Sequence, residues 1–359
     1  MVPFFILITV PIIIYPFSKN IKVNGYRLEQ FPLLLFFIML TFLVMFRHPS
    51  IGNDTEKYIL FFNNTVGVPW NKITWGSLEV GFQFYMKMIT LISGEPQFFI
   101  AVSGLIVSAL LYPTYKRLCV DPSLTIVIFC VLSTFVMMFS GIRQMFAISI
   151  GLLAYEFTRK RKLIFYLICV AVAVSFHTSA FMLIFMYPVY HIRITKKWLI
   201  AVVPVLAAIF VFNRPIFQFI GPLLGEITRF DYGVTSTGAY TMIVLFALFT
   251  VFSFLIPDES LMEEETIGLR NILLLCLIIQ FFVPLNFLAM RMNYYYIIFI
   301  PLLIPKIIQY SRPKWKQFAL VGRYVMLIFF YVYFIYSGFT SPYNLHVFPY
   351  HFFWENVII

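Results

Sequence analysis

Apolar runs long enough to enter a bilayer recur from one end of this chain to the other, separated by short polar loops. In hydrocarbon every backbone N–H and C=O must find its partner inside the protein, so runs of this length read as membrane helices. The composition agrees: 61% of the 359 residues are hydrophobic and 11% are charged, a balance that soluble globular domains do not have. The expected fold is all-α: a polytopic integral membrane protein of about twelve transmembrane segments, forming one integral domain over residues 1–359. The first apolar run, Pro3 to Phe17, lacks a basic stretch before it and a small-residue cleavage site after it. It reads as a retained helix.

The net charge of +11 does not point to nucleic acid, because the Lys and Arg are spread over short loops and form no continuous basic face. Positive-inside bias accounts for most of them, and membrane lipid or a phosphorylated lipid substrate for more. Cys119, Cys130, Cys169 and Cys276 lie mostly in apolar runs without metal-type spacing. They read as small buried hydrophobes, with no disulfide framework.

Basic clusters order the segments. Lys19, Lys22 and Arg27; Lys116 and Arg117; Arg159 to Lys162; Arg193, Lys196 and Lys197; and Lys306, Arg312, Lys314 and Lys316 are placed inside. The assignment leaves eight of the 26 Lys and Arg outside or unassigned: Arg47, Lys57, Lys72, Lys87, Arg143, Arg214, Arg229 and Arg291. Both termini then fall outside. The acidic loop at Asp258 to Glu265 sits inside without contradiction, since acidic residues count little in this rule.

The block Leu163 to Tyr190 lies between two of these inner clusters. To go out and return within 28 residues, each half reaches only about 20 Å at roughly 1.5 Å per residue. That is short of a hydrocarbon core of about 30 Å. The turn at His177 is thus expected in a depression of the outer surface, where irregular backbone is tolerated only against protein or a wet cavity. Two outer loops, 47–81 and 213–239, are candidate substrate-facing elements. The first carries Phe61, Phe62, Trp70 and Trp75, suited to a membrane surface; the second carries Arg214, Glu226, Arg229 and Asp231. Between the first loop and the next long run, Phe82 to Ser93 is too short to cross and reads as half-inserted.

Five groups collect on the outer face in this topology: Asp54, Glu79, Arg143, His177 and Arg291. Arginines near hydrocarbon are costly and normally face a cavity or a partner. Two of them suit a diphosphate, whose oxygens take bidentate, charge-assisted bonds. A neutral His accepts a proton from a hydroxyl, and a carboxylate either does the same or orients the His. Each group also has a plainer role. Arg143 can snorkel and pair with a carboxylate, and His177 can end a helix. Asp54 can cap a helix starting at Thr55, Glu79 can neutralise Lys87 or an Arg, and Arg291 can be a loop cation. There is no phosphate-cradling GxxxxGKS loop, HExxH, GxSxG or Asp-x-Asp pair, which disfavours ATP hydrolysis, zinc proteolysis, serine hydrolysis and metal-dependent nucleotide-sugar transfer. No metal site or cofactor is expected. Two rival classes remain: a flippase for lipid-linked oligosaccharides, which needs access from both sides, and a membrane acyltransferase.

Four phrases carry a resemblance: GNDTEKY at Gly52–Tyr58, LEVGF at Leu78–Phe82, GIRQMFA at Gly141–Ala147 and SFHTSA at Ser175–Ala180. RMNYYY at Arg291–Tyr296 and a late PY-containing tail add to it. In order and spacing the chain resembles the EpsG family of polysaccharide polymerases, which are similar to the Wzy O-antigen and capsule polymerases. The resemblance implies a metal-independent glycosyltransferase at the outer face of the bacterial cytoplasmic membrane. Its donor and acceptor would be undecaprenyl-diphosphate-linked oligosaccharides, and a chain-length regulator and a flippase are partners it allows for. Arg143 and Arg291 would hold the diphosphate. His177 would be the favoured base, with Asp54 or Glu79 orienting it or acting instead.

Overall fold

The computed structural model describes residues 1–19, 21–23, 26–73, 78–220, 237–340 and 346–357. Trp75, Glu226, Arg229 and Asp231 lie outside them. Each of the twelve expected apolar segments is helical. Four helices are long and apolar enough to span a membrane by themselves, or up to seven spans if each bent pair is counted as one. The molecule is thus an all-helical, multi-pass membrane protein. Apart from a two-residue antiparallel pairing, in which Lys22 faces Arg27 and Val23 faces Tyr26, two isolated bridges are the other strand-type pairs among the described residues. The four cysteines are free, three of them buried.

The chain forms two compact units. The first comprises Met1–Phe181 and Arg323–Ile359. Its helices are α1 (Val2–Ser18), α2 (Phe31–Met45), α3 (Thr55–Asn63), α4 (Val80–Thr90), α5 (Pro96–Leu118), α6 (Pro122–Val131), α7 (Ser133–Ser140), α8 (Ile142–Arg159) and α9 (Leu163–Phe176). The apolar run 122–140 forms two helices and not one, α6 and α7, bent by 67° at Leu132, whose backbone is extended. The half-inserted piece appears as α4. His177 ends α9 with extended backbone, φ −156° and ψ 118°, so the turn falls where the charge pattern places it.

Aromatic rings fill this unit. Phe4 is fully buried and meets the rings of Phe135, Phe139, Phe348 and Tyr350 edge-on, at 4.8 to 5.7 Å between centroids. Such pairs contribute about 0.5–1.5 kcal/mol each beyond the area they bury. Two of these rings come from the tail, which is clasped to the end of α2 and the stretch after it. Phe353 N–H donates to Phe46 O (3.0 Å), His48 N–H to His351 O (2.9 Å) and Gly52 N–H to His346 O (3.0 Å). Tyr350 Oη adds a bond to Leu43 O at 2.7 Å.

The second unit is Met182–Gly322. It holds α10 (Met186–His191), α11 (Leu199–Val211), α12 (Asn213–Ile220), α13 (Thr237–Leu255), α14 (Glu264–Gln280), α15 (Phe287–Ile297) and α16 (Ile300–Gln309). Here too a long apolar run is broken: α15 and α16 meet at 47°. Arg270 on α14 is fully buried; its Nη atoms bond Glu259 (2.8 Å) and Ile194 O (2.7 Å), and the Phe254 ring lies 4.0 Å from the guanidinium. A buried arginine needs such partners, because an uncompensated charge in a dry interior costs several kcal/mol, on the order of 3–5 when one partner is removed. α17 (Lys316–Thr340) carries the chain back to the first unit.

Gly52 shows how tightly the first unit packs around GNDTEKY. Its φ is +88°, and a Cβ there would lie 2.1 Å from Phe139 O and 2.8 Å from Ser140 Cα. Gly67 also has positive φ, +72°, but nothing within 4 Å. Ala at Gly67 therefore meets only backbone strain of about 1–2 kcal/mol, whereas Ala at Gly52 meets strain and a collision with fixed backbone. Thermal melts of purified protein should show a clearly larger loss of Tm for Gly52→Ala than for Gly67→Ala; equal losses would refute the packing argument.

Candidate functional site

Glu79 is the residue on which the site is built. It is the N-cap of α4, with φ −62° and ψ 137°, and its side chain makes no cap bond. The carboxylate instead reaches across to two other phrases of the sequence. One oxygen takes the Arg143 Nη1 ion pair at the start of α8. The other stands 3.0 Å from His177 Nδ1, 3.1 Å from Thr178 N and 3.4 Å from Thr178 Oγ1. On its far side Arg143 meets Tyr58 of α3, with Nε 3.4 Å from the phenol oxygen and the guanidinium 5.6 Å from the ring centroid. GNDTEKY, LEVGF, GIRQMFA and SFHTSA thus each contribute a side chain to one connected cluster.

Local sequence makes the meeting possible. Gly81 is the fourth residue of LEVGF, two after Glu79, and a Cβ there would come 2.3 Å from Ser175 Oγ and 2.8 Å from Ser175 O. With no side chain there, the start of α4 lies against the end of α9, which brings Glu79 within reach of His177 and Thr178. Gly52 does the same service for GNDTEKY against the residues just before Gly141. Thr55 reinforces that contact, its hydroxyl 2.6 Å from Ile51 O and 3.2 Å from Phe139 O.

The electrostatics follow from these contacts. Burial works to raise the Glu79 pKa, but the His177 hydrogen bond and the positive charge of Arg143 outweigh it. The carboxyl is held down at about 2, against an ordinary 4.5. An ionised carboxylate only accepts hydrogen bonds. The His177 nitrogen facing it, Nδ1, therefore carries a proton, and in the neutral ring Nε2 is left as the acceptor. Arg143, His177 and Glu79 remain 24%, 14% and 15% exposed at their side chains, enough for a ligand to reach them.

The sequence of residues 30–352 matches the model of the EpsG family. The chain belongs to the EpsG family. This is a family of Wzy-like polysaccharide polymerases, and polysaccharide polymerisation is the general activity that membership carries. No curated protein and no solved structure matches the chain.

Of the five residues singled out from the sequence, three form the cluster: Glu79, Arg143 and His177. Asp54 does occupy the N-cap position of α3 but makes no cap bond. It pairs loosely with Lys57, 3.6 Å away and 73% exposed. Lys87, the other cation considered for Glu79, donates to Val68 O at 2.6 Å instead. Arg291 lies on α15 in the second unit, exposed, with its guanidinium 5.9 Å from the Phe287 ring. The rest of RMNYYY is buried: Asn293 Nδ2 donates to Cys276 O (3.1 Å) and Gln280 Oε1 (2.9 Å), and Tyr296 to Met182 O. Tyr58 and Thr178 complete the cluster without having been assigned roles from sequence. Their signal was position, one turn beyond Asp54 and directly after His177.

An apolar groove of about 650 Å³ begins beside the cluster, lined by Val80, Gly81, Phe84, Tyr85, Ser175 and Phe176 among others. It runs between α4 and α9, and its first lining residues adjoin Glu79 and His177 in sequence.

The depressed Glu79 pKa sets a pH dependence. Because the folded value lies below the unfolded one, the stabilisation is complete above about pH 4.5 and is lost as the pH falls towards 2. The Tm of the wild type should therefore fall more steeply than that of Glu79→Gln between about pH 5 and pH 3. The variant should start lower at pH 7, with Arg143 deprived of its counter-charge. Parallel curves would show that the ion pair does not contribute.

Proposed function

We propose that this chain polymerises a bacterial surface polysaccharide from undecaprenyl-diphosphate-linked repeat units at the outer face of the cytoplasmic membrane. The Glu79 bridge between Arg143 and His177, at the mouth of an apolar groove, is the observation that carries the reading. It supports the reading because an imidazole held by a carboxylate, a guanidinium and an apolar surface lie together.

His177 is the general base. Glu79 orients its ring through Nδ1, and Nε2 takes the proton from a hydroxyl of the acceptor repeat. The oxygen then attacks the anomeric carbon of the growing glycan. As the new C–O bond forms, the bond from that carbon to the diphosphate breaks, and the lipid diphosphate departs with the electron pair. Arg143 stabilises it; a guanidinium has five N–H donors, more than Glu79 and Tyr58 use. Charge stabilisation thus comes from the Arg143 guanidinium, so the transfer runs without a metal. Glu79, already ionised and saturated with donors, serves as orienter and not as base; Asp54 belongs to the loop that the acceptor crosses.

The α4–α9 groove supports a lipid-linked substrate because an isoprenoid chain needs an apolar path leading away from its diphosphate. Outer-loop aromatics such as Trp70 offer faces for sugar rings.

Complementation of a deletion strain tests the proposal, with the surface glycan resolved on a gel. Wild type should restore a ladder. His177→Ala and Arg143→Ala, present in the membrane at wild-type level, should give single repeats only, a loss of at least about 10² in chain extension if base catalysis is removed. Full ladders from both variants would overturn the site. Loss of even single repeats on deletion would favour translocation as the activity.

A further inference from the structure

No residue of α11 is buried, although its sequence LIAVVPVLAAIFV contains no polar side chain. The cause lies within the second unit. A cleft of about 520 Å³ separates α11 from α13 and α14, lined by Val202, Leu206, Phe210, Ile243, Phe254 and Leu277 among others. Helices in a packed unit do not stand apart over such a volume unless something apolar fills it. The size lies in the range of small-molecule pockets, roughly 300–1,000 Å³.

The cleft has a closed end and a charged end. Phe210 and Phe281 close one end, their ring centroids 5.3 Å apart, and Asn213 Nδ2 fixes Phe281 by a 2.8 Å bond to its carbonyl. At the other end Lys196 Nζ stands 3.3 Å from the carbonyl of Leu255, a lining residue and the last of α13. Arg312, Arg270 and Lys314 are near enough for their charges to act on Lys196. Two carboxylates share this end: Glu259 is engaged by Arg270 and by the Lys196 backbone N–H at 3.2 Å, and Asp258 accepts from Ser260 Oγ at 2.7 Å, which leaves four cations against two anions. The lining from Leu199 to Phe210 covers eleven residue steps, about 17 Å at 1.5 Å per residue. That is close to half of a hydrocarbon core of about 30 Å, one leaflet deep.

We propose that the cleft between α11, α13 and α14 holds an acyl chain of an anionic bilayer phospholipid, with its phosphate at Lys196. A slot one leaflet long fits an acyl chain. A lysine ammonium binds phosphate as a point charge. The lipid completes the packing of α11, so the site is separate from the Glu79 cluster and does not depend on the function proposed for it.

Native mass spectrometry of the purified full chain tests this, with phosphatidylglycerol and phosphatidylcholine of identical acyl chains offered separately. Wild type should retain phosphatidylglycerol about fivefold better, the effect of one Lys or Arg beside an anionic lipid. Lys196→Gln should remove that preference, and Leu206→Trp, which fills the cleft, should lower retention of both lipids. Equal retention of the two lipids by wild type would overturn the proposal without any variant being needed. So would unchanged retention by folded Leu206→Trp, or a polyprenyl diphosphate displacing phosphatidylglycerol from wild type but not from Lys196→Gln.

Discussion

A carboxylate taken out of bulk water keeps its charge only if the protein replaces the lost hydration. Glu79 does so with a guanidinium on one oxygen and three donors, from His177 and Thr178, on the other. Every one of these partners comes from a different helix end than its own. The ion pair therefore fixes the start of α8 and the end of α9 to the start of α4, and through Tyr58 it holds α3 as well. Removing Glu79 would leave Arg143 half-buried and unpaired and His177 without its orienting partner, so the cluster stands or falls as a unit.

Helix ends are expensive places to put together, because each presents unsatisfied backbone groups. Two glycines and the tail solve this here. At Gly52 and Gly81 backbone meets backbone at distances that any Cβ would forbid. The tail then closes the assembly by bonding to Phe46, His48 and Gly52. Arg47 is almost wholly buried beneath it, with Nη1 on Val44 O at 2.6 Å. The motif glycines are thus packing residues, and the carboxylate, cation and imidazole beside them are what the packing serves.

The membrane segments were legible because the bilayer imposes one rule on every residue of a run, and hydropathy alone reads it. The turn at His177 was legible for a related reason: two basic clusters 28 residues apart leave room for nothing but short halves. The bends at Leu132 and between α15 and α16 were missed although Ser133–Thr134 and Pro301 stand beside them, because hydropathy averaged over a run does not register a short polar pair or a single proline. Glu79 was visible as a candidate, but its partner was not. Lys87, one turn or two along the same helix, looked as suitable as Arg143, and only the close approach permitted at Gly81 decides between them. Asp54 looked equivalent to Glu79 by residue type. Its place on an exposed corner of α3, facing Lys57, depends on how the loop folds.

Charge counting shows what the proposed reaction asks of this cluster. A general base must start neutral, so the proposed reaction has Arg143 positive, Glu79 negative and His177 without charge; the three groups then sum to zero before the acceptor binds, and a diphosphate gains little from a neutral site. Arg143 must then share its donors between Glu79 and a phosphate oxygen. Proton transfer changes the sum. When His177 takes the acceptor proton it becomes a cation beside Glu79, and the cluster turns net positive at the moment negative charge grows on the departing diphosphate. Stabilisation that appears only as the transition state forms raises the rate of the chemical step, whereas equal stabilisation of bound substrate does not. A permanently charged residue in place of His177 would hold the lipid diphosphate tightly before and after transfer and would slow release of the spent carrier. A neutral imidazole poised on a carboxylate avoids that cost, which is a physical reason for His and not Lys at this position.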